Sequence, residues 1–445
     1  MQQKLTLKPG IAFWRENDTG VIVDLLRHNQ FTCSLGVVDF LEGKVKILSD
    51  DVLAFLEENE ILVDVNPKEI FEKIIELKKS LPFTGTVYIE TTRKCNLKCL
   101  GCYNNSGINN HDELTTEKAA EIKKQLRKLG MPHIIITGGE PLILREWYGV
   151  ISAFSKDFKT TVFSNGTLIS MEVAKQLSEA GVHEMKISID GGCAETHDKL
   201  RMVNGSFDRA VNGIKNLVDM KIPVTIQATM SKENISELHS IVELALDLGV
   251  NTLRVSPLRS IGRATDTDLM LSNEQLFSLS NELISEAKLN PKLRIEGGES
   301  FCDSNQEWRG EIYASEHISA TEKQYINFIR SSACDVGIDR FQFNSDSSLQ
   351  LCPLLSKEFI ITANVSEVSN ELLYCNETTK ILRVPLASQE SCNSCGLIYL
   401  CGGSCRGNAY MNSNSLNGCD LWQKSYLNYV VRNKDKVGYN VLSDK

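Results

Sequence analysis

No apolar run in this sequence approaches the ~20 residues that a membrane-spanning helix needs. Its first ten residues, MQQKLTLKPG, lack the apolar stretch of a secretory signal. A soluble, cytoplasmic chain is therefore expected, with no membrane partner. Excess basic charge is missing too: 48 Lys and Arg stand against 57 Asp and Glu, a net charge of -9. Non-specific nucleic-acid binding requires a basic surface, so no nucleic-acid partner is expected. Apolar residues fill 42% of the 445 positions, enough for buried cores, and the length implies two or three domains rather than one.

Cysteine, by contrast, is abundant, with fourteen in the chain. In a reducing compartment, clustered cysteines serve metals or catalysis more often than disulfides. Three of them, Cys95, Cys99 and Cys102, fall in TTRKCNLKCLGCYNNSG as C-x3-C-x2-C, and five lie between Cys392 and Cys419. Such uneven placement favours metal.

Residues 1–80 read as a small unit of short strands (GIAFWREND, TGVIVDLL, FTCSLGVVDFL) followed by helices. SDDVLAFLEENEIL predicts a helix capped by Ser49 or Asp50, with Leu53, Leu56 and Ile61 on one face. A second helix is predicted over 66–81. From residue 84 strand and helix alternate. Strands are predicted at 85–92, 133–139, 159–166, 184–191, 223–230 and 251–258. Helices are predicted from near Thr115 to a Gly130 cap, then at 144–157, 170–180, 207–219, 235–249 and 272–289. Six β-α units imply a parallel sheet with covered faces, either doubly wound or an incomplete barrel. The cysteine loop, TGGEP (137–141), SNG (164–166) and SIDG (188–191) all follow strands directly. In a barrel, that is where chemistry sits. Beyond about 300 the alternation stops, and the cysteine-rich remainder reads as a region organised by metal.

A structural zinc site takes four ligands, commonly as paired C-x2-C knuckles. One triplet leaves it incomplete. A [4Fe-4S] cubane held by three thiolates keeps one iron open to a ligand. C-x3-C-x2-C after the first strand of a β-α series, followed by TGGEP, SNG and SIDG in order, resembles the radical S-adenosylmethionine (SAM) superfamily. The resemblance implies that Cys95, Cys99 and Cys102 hold a [4Fe-4S] cluster whose open iron is chelated by SAM. It also implies reductive cleavage of SAM to a 5′-deoxyadenosyl radical. It assigns SAM contacts to Gly138, Gly139, Glu140, Ser164, Asn165, Ser188, Asp190 and Arg201. Glu140 would suit the SAM ammonium and Arg201 the carboxylate. The family usually carries an aromatic residue just before the third cysteine; here Gly101 stands there and Tyr103 flanks Cys102 on the other side, so adenine stacking falls to Tyr103.

C-x2-C-x5-C-x3-C at Cys392, Cys395, Cys401 and Cys405, then Cys419, with Cys334 and Cys352 upstream, resembles the SPASM extension of radical SAM enzymes. That resemblance implies two auxiliary clusters. Cys392, Cys395, Cys401 and Cys419 would hold one; Cys334, Cys352 and Cys405 would hold the other, with Cys375 a spare fourth ligand or its iron left open. A zinc ribbon is the competing reading of these pairs. Family members often have glycine five residues before the second of these seven cysteines; here it is Ser347.

The expected architecture is α/β: a partial (βα)6 TIM barrel (81–300), a bridging region (301–330) and an iron–sulfur SPASM domain (331–445). Ahead of them stands a small winged-helix-like α+β domain (1–80), resembling the PqqD-like leader-binding domains of peptide maturases. The expected cofactors are three [4Fe-4S] clusters and SAM. The expected activity is maturation of a ribosomally made precursor peptide with a leader segment, through a thioether or carbon–carbon crosslink, fed by an electron donor such as flavodoxin or ferredoxin. A sulfatase-maturating oxidase is the alternative. That branch places an aspartate after the second SPASM cysteine, where this chain has Pro353. A non-catalytic electron carrier and a small-molecule radical enzyme complete the alternatives. No catalytic base stands out by spacing.

Overall fold

The computed structural model describes residues 6–8, 11–24, 29–63, 67–109, 113–297, 336–355, 357–382, 384 and 389–433. The bridging region, Cys302 and Cys334 lie outside the described residues. By its internal contacts the chain forms two compact units. One gathers residues 1–80 with 304–335 and 380–445; the other gathers 81–303 with 336–379.

In the first unit, a two-residue strand β1 (Thr6–Leu7) pairs with β5 (Leu62–Val63). Between them β2 (Ile11–Glu16), β3 (Thr19–Asp24) and β4 (Asn29–Cys33) form an antiparallel sheet with β3 in the centre. Helices Leu35–Leu41, Asp50–Glu58 and Pro67–Ser80 follow. Ile11, Phe13, Ile22, Val38, Leu56 and Ile61 close one apolar core. The helix beginning at Asp50 is shorter than its apolar pattern suggests: Glu60 turns left-handed and Leu62 enters β5. Ile61 keeps its place in the core from outside the helix.

The second unit is built on a ten-stranded sheet. Its strands are β6 (Thr86–Glu90), β7 (His133–Thr137), β8 (Thr160–Ser164), β9 (Glu184–Ser188), β10 (Val224–Met230), β11 (Thr252–Pro257), β12 (Arg294–Gly297), β13 (Arg340–Phe343), β14 (Leu349–Gln350) and β15 (Ile360–Thr362). From β12 through β6 they lie in reverse chain order and all parallel. Each β-α unit thus places its strand beside the last, the arrangement of a partial TIM barrel. Parallel strands are covered on both faces and read as apolar runs; HIIIT in β7 buries Ile134 and Ile136 completely. Thr115, Ser170 and Ser272 cap their helices through side-chain oxygens, each cap adding about 1 kcal/mol.

Several elements, β12 among them, carry no repeat signal. A helix at Ala194–Arg201 fills the connection after β9. β13 returns from beyond residue 300 to pair parallel with β6, Arg340 opposite Thr86, and β14 and β15 extend the sheet antiparallel.

Candidate active site

The cysteine loop leaves β6 and is pinned from three directions. Gly139 N donates to Thr92 O at 2.6 Å and Glu140 N to Lys94 O at 2.8 Å. The two glycines of TGGEP therefore let one backbone lie against another: a Cβ at Gly139 would stand 2.0 Å from Lys94 O, and one at Gly138, whose φ is +150°, 2.4 Å from Thr92 O. Lys98 N and Leu100 N donate to Arg201 O and Leu200 O at the end of the 194–201 helix. Arg263 holds the far side, its N donating to Cys102 O, Nε to Cys99 O and Nη1 to Ser106 O. Nothing in the sequence marks Arg263, which sits in a short turn after β11.

Each thiol has a donor aimed at it. Leu97 N lies 3.4 Å and Asn165 Nδ2 3.9 Å from Cys95 Sγ. Arg201 Nη1 lies 3.5 Å from Cys99 Sγ, and Ser106 N 3.4 Å from Cys102 Sγ. N–H groups directed at sulfur are what an iron–sulfur cluster uses to stabilise its thiolate ligands. Burial pushes the Cys95 thiol up to about 12, with Glu140 and the other two cysteines adding to it. Cys95 alone would stay protonated, and a bound metal would take the proton's place.

Around the loop stand the residues expected to meet SAM. Glu140 is fully buried. Its Oε1 accepts from Ser164 Oγ (2.9 Å) and Leu142 N (3.1 Å), and its Oε2 from Asn165 N (2.8 Å). Burial pushes its carboxyl up to about 7, against the pull of those three donors. Asn165 also bonds Asn96 and Thr167, tying the end of β8 to the cysteine loop. Ser188 ends β9 half-buried. Asp190 and Arg201 form an ion pair of 2.7 Å. Tyr103, about one-third exposed, has its hydroxyl 3.5 Å from Thr137 Oγ1. A side chain at 101 would require Leu258 to move, since a Cβ there would fall 2.6 Å from Leu258 Cδ1. Leu258, just beyond β11, fills that space.

In the other unit, Cys392, Cys395, Cys401 and Cys419 line one small pocket. Cys392 and Cys395 bracket a turn closed by Cys395 N on Cys392 O. Cys401 ends a short helix that Gly402 terminates in the left-handed region. Cys419 is delivered by Arg406, whose Nη1 holds Leu416 O and Gly418 O. Arg406 and Lys424 also face the pocket, supplying two cations to a group of four thiolates. Burial raises the Cys392 and Cys419 thiols. Among the described residues no three His, Cys, Asp or Glu converge on one point. Cys405, buried at the start of the next helix, is not among the residues lining this pocket. Cys352 follows β14 in the barrel unit, its Sγ 3.4 Å from Leu354 N. Cys334 lies outside the described residues.

Residues 89–245 match the Radical SAM superfamily. The chain is 29% identical over 327 residues to the AdoMet-dependent heme synthase of Methanosarcina barkeri, covering 72% of this chain and 90% of that protein. It is 28% identical over 337 residues to the mycofactocin maturase MftC of Mycobacterium tuberculosis, covering 74% of this chain and 80% of that one. Among solved structures it resembles Streptococcus suis SuiB bound to precursor peptide SuiA, with a TM-score of 0.62 and 16% identity, over 94% of this chain and 98% of that chain. No helix among the described residues is long and apolar enough to cross a membrane.

Proposed function

This chain is a radical SAM enzyme, and from that premise we propose that it matures a ribosomally made precursor peptide by installing a thioether or carbon–carbon crosslink. The observation that carries the reading is the edge of the N-terminal sheet. Among the described residues β4 pairs only with β3, and its Asn29, Gln30 and Thr32 are exposed. An open edge of this kind takes an extended peptide as an added strand. The opposite edge is already used, Phe13 N of β2 donating to Gly396 O at 2.9 Å. Similarity to a mycofactocin maturase over most of its length supports the same reading.

In this scheme Cys95, Cys99 and Cys102 hold the first cluster. Gly138, Gly139, Glu140, Ser164, Asn165, Ser188, Asp190, Arg201 and Tyr103 shape the SAM pocket. Cys392, Cys395, Cys401 and Cys419 hold an auxiliary cluster, and Cys334, Cys352 and Cys405 a further one. Held by these residues, cluster and SAM would supply radical chemistry for removing a hydrogen from a core residue. The chain's own part is to fix the peptide by its leader, orient the reacting carbon and exclude water. Electrons come from a flavodoxin- or ferredoxin-like donor.

Similarity to a heme synthase over 90% of that protein favours a second reading, a radical reaction on a small molecule. The two separate in one assay. Reconstituted enzyme, SAM and reductant are mixed anaerobically with candidate leader–core peptides and analysed by mass spectrometry. Peptide maturation predicts loss of two hydrogens from the core, abolished when the leader is removed. Tight porphyrin binding with every peptide unchanged overturns it.

A further inference from the structure

Among the described residues Arg201 is the one cation that donates a side-chain hydrogen bond to a sulfur of the triplet; Arg263 meets only backbone carbonyls of the loop. Cys95 and Cys102 receive neutral donors, from Leu97 N, Asn165 Nδ2 and Ser106 N. Cys99 receives Arg201 Nη1 at 3.5 Å. The arrangement is rigid on both sides. Backbone bonds from Lys98 and Leu100 to Arg201 O and Leu200 O straddle Cys99. The other guanidinium arm is fixed by Asp190 Oδ2 at 2.7 Å. Asp190 is fixed in turn: Oδ1 accepts from Thr229 N, its backbone N donates to His197 Nδ1, and its carbonyl accepts from Asn234 Nδ2. Both side chains are nearly buried, with 12% and 11% exposed. Burying a charge pair is costly and rarely serves stability alone. Water screens little here, so a charge beside the sulfur acts strongly on it.

We propose that Arg201 sets the reduction potential of the cluster held by Cys95, Cys99 and Cys102, through its bond to Cys99, and that Asp190 is the counter-charge that limits the effect. The proposal rests on the assignment of that cluster to this triplet. The reduced cluster carries one more negative charge than the oxidised one. A cation and an N–H directed at the sulfur favour the reduced form and raise the potential. Arg201 is thus a positioning residue that acts through Cys99.

The test is a redox titration of the reconstituted full chain without peptide, followed by electron paramagnetic resonance. The signal to follow is the one missing from a variant with Cys95, Cys99 and Cys102 all changed to Ala. Arg201→Met removes the cation and is expected to shift the midpoint downward. Asp190→Asn leaves Arg201 unbalanced and is expected to shift it upward. Arg201→Lys keeps the charge without the fork and should fall between Arg201→Met and the parent. A merely structural role moves Arg201→Met and Asp190→Asn the same way, or neither, and that result overturns the proposal. A parent protein with no signal that depends on the triplet overturns the cluster assignment itself.

Discussion

At the residue scale, single side chains and their partners decide what a substitution would cost. Ser347 adopts φ +77° in the turn between β13 and β14. The left-handed region strains any residue with a Cβ. Its hydroxyl is also buried without a partner among the described residues. Ser347→Gly should therefore stabilise the protein by about 1 kcal/mol, read as a higher denaturant midpoint at unchanged slope. Glu140 offers the opposite case. Glu140→Ala orphans three donors, each worth about 1 kcal/mol or more when left unpaired in the interior, so a loss of about 3 kcal/mol is expected. Glu140→Gln should lose far less. Burial already brings the carboxyl to about 7, so losing the charge costs little, and the remaining loss is the one backbone N–H that would face the amide nitrogen. Chemical denaturation of the three proteins side by side gives the ranking. The cysteine spacing and the SNG and SIDG stretches were readable in the sequence because they are local. Leu258 filling the space over Gly101, Arg263 gripping the loop and Arg201 meeting Cys99 were not. Each joins residues a hundred or more apart, and no periodicity records such a meeting.

At the scale of elements, the β-α alternation was readable because strand and helix periods differ and three of the helices open on a Ser or Thr cap. The helix at 194–201 escaped notice because its apolar positions are few. β13 escaped because parallel pairing with β6 leaves no mark on either strand's own sequence. The unit that holds the N-terminal sheet also holds the four-cysteine pocket, and the two are joined backbone to backbone. Gly396 lies one residue after Cys395, and any side chain there would meet Phe13 O at 2.0 Å. Phe13 is itself among the largest fully buried side chains. Assembly of a cluster at Cys392, Cys395, Cys401 and Cys419 should then order β2 from its outer edge. Amide exchange on Ile11–Glu16 is expected to be slower in the iron-loaded protein than after chelation. Equal protection in both would show that the sheet does not depend on the pocket.

At the scale of the whole molecule, function depends on how many clusters the chain carries and whether the first of them cleaves SAM. Anaerobic purification and reconstitution, a count of iron and sulfide, and an assay for 5′-deoxyadenosine with SAM and a strong reductant address both at once. The account predicts about twelve irons per chain, as three cubanes require, with deoxyadenosine formed, and none formed once Cys95, Cys99 and Cys102 are changed to Ala. Iron at that level without deoxyadenosine, or zinc in place of iron, would contradict it.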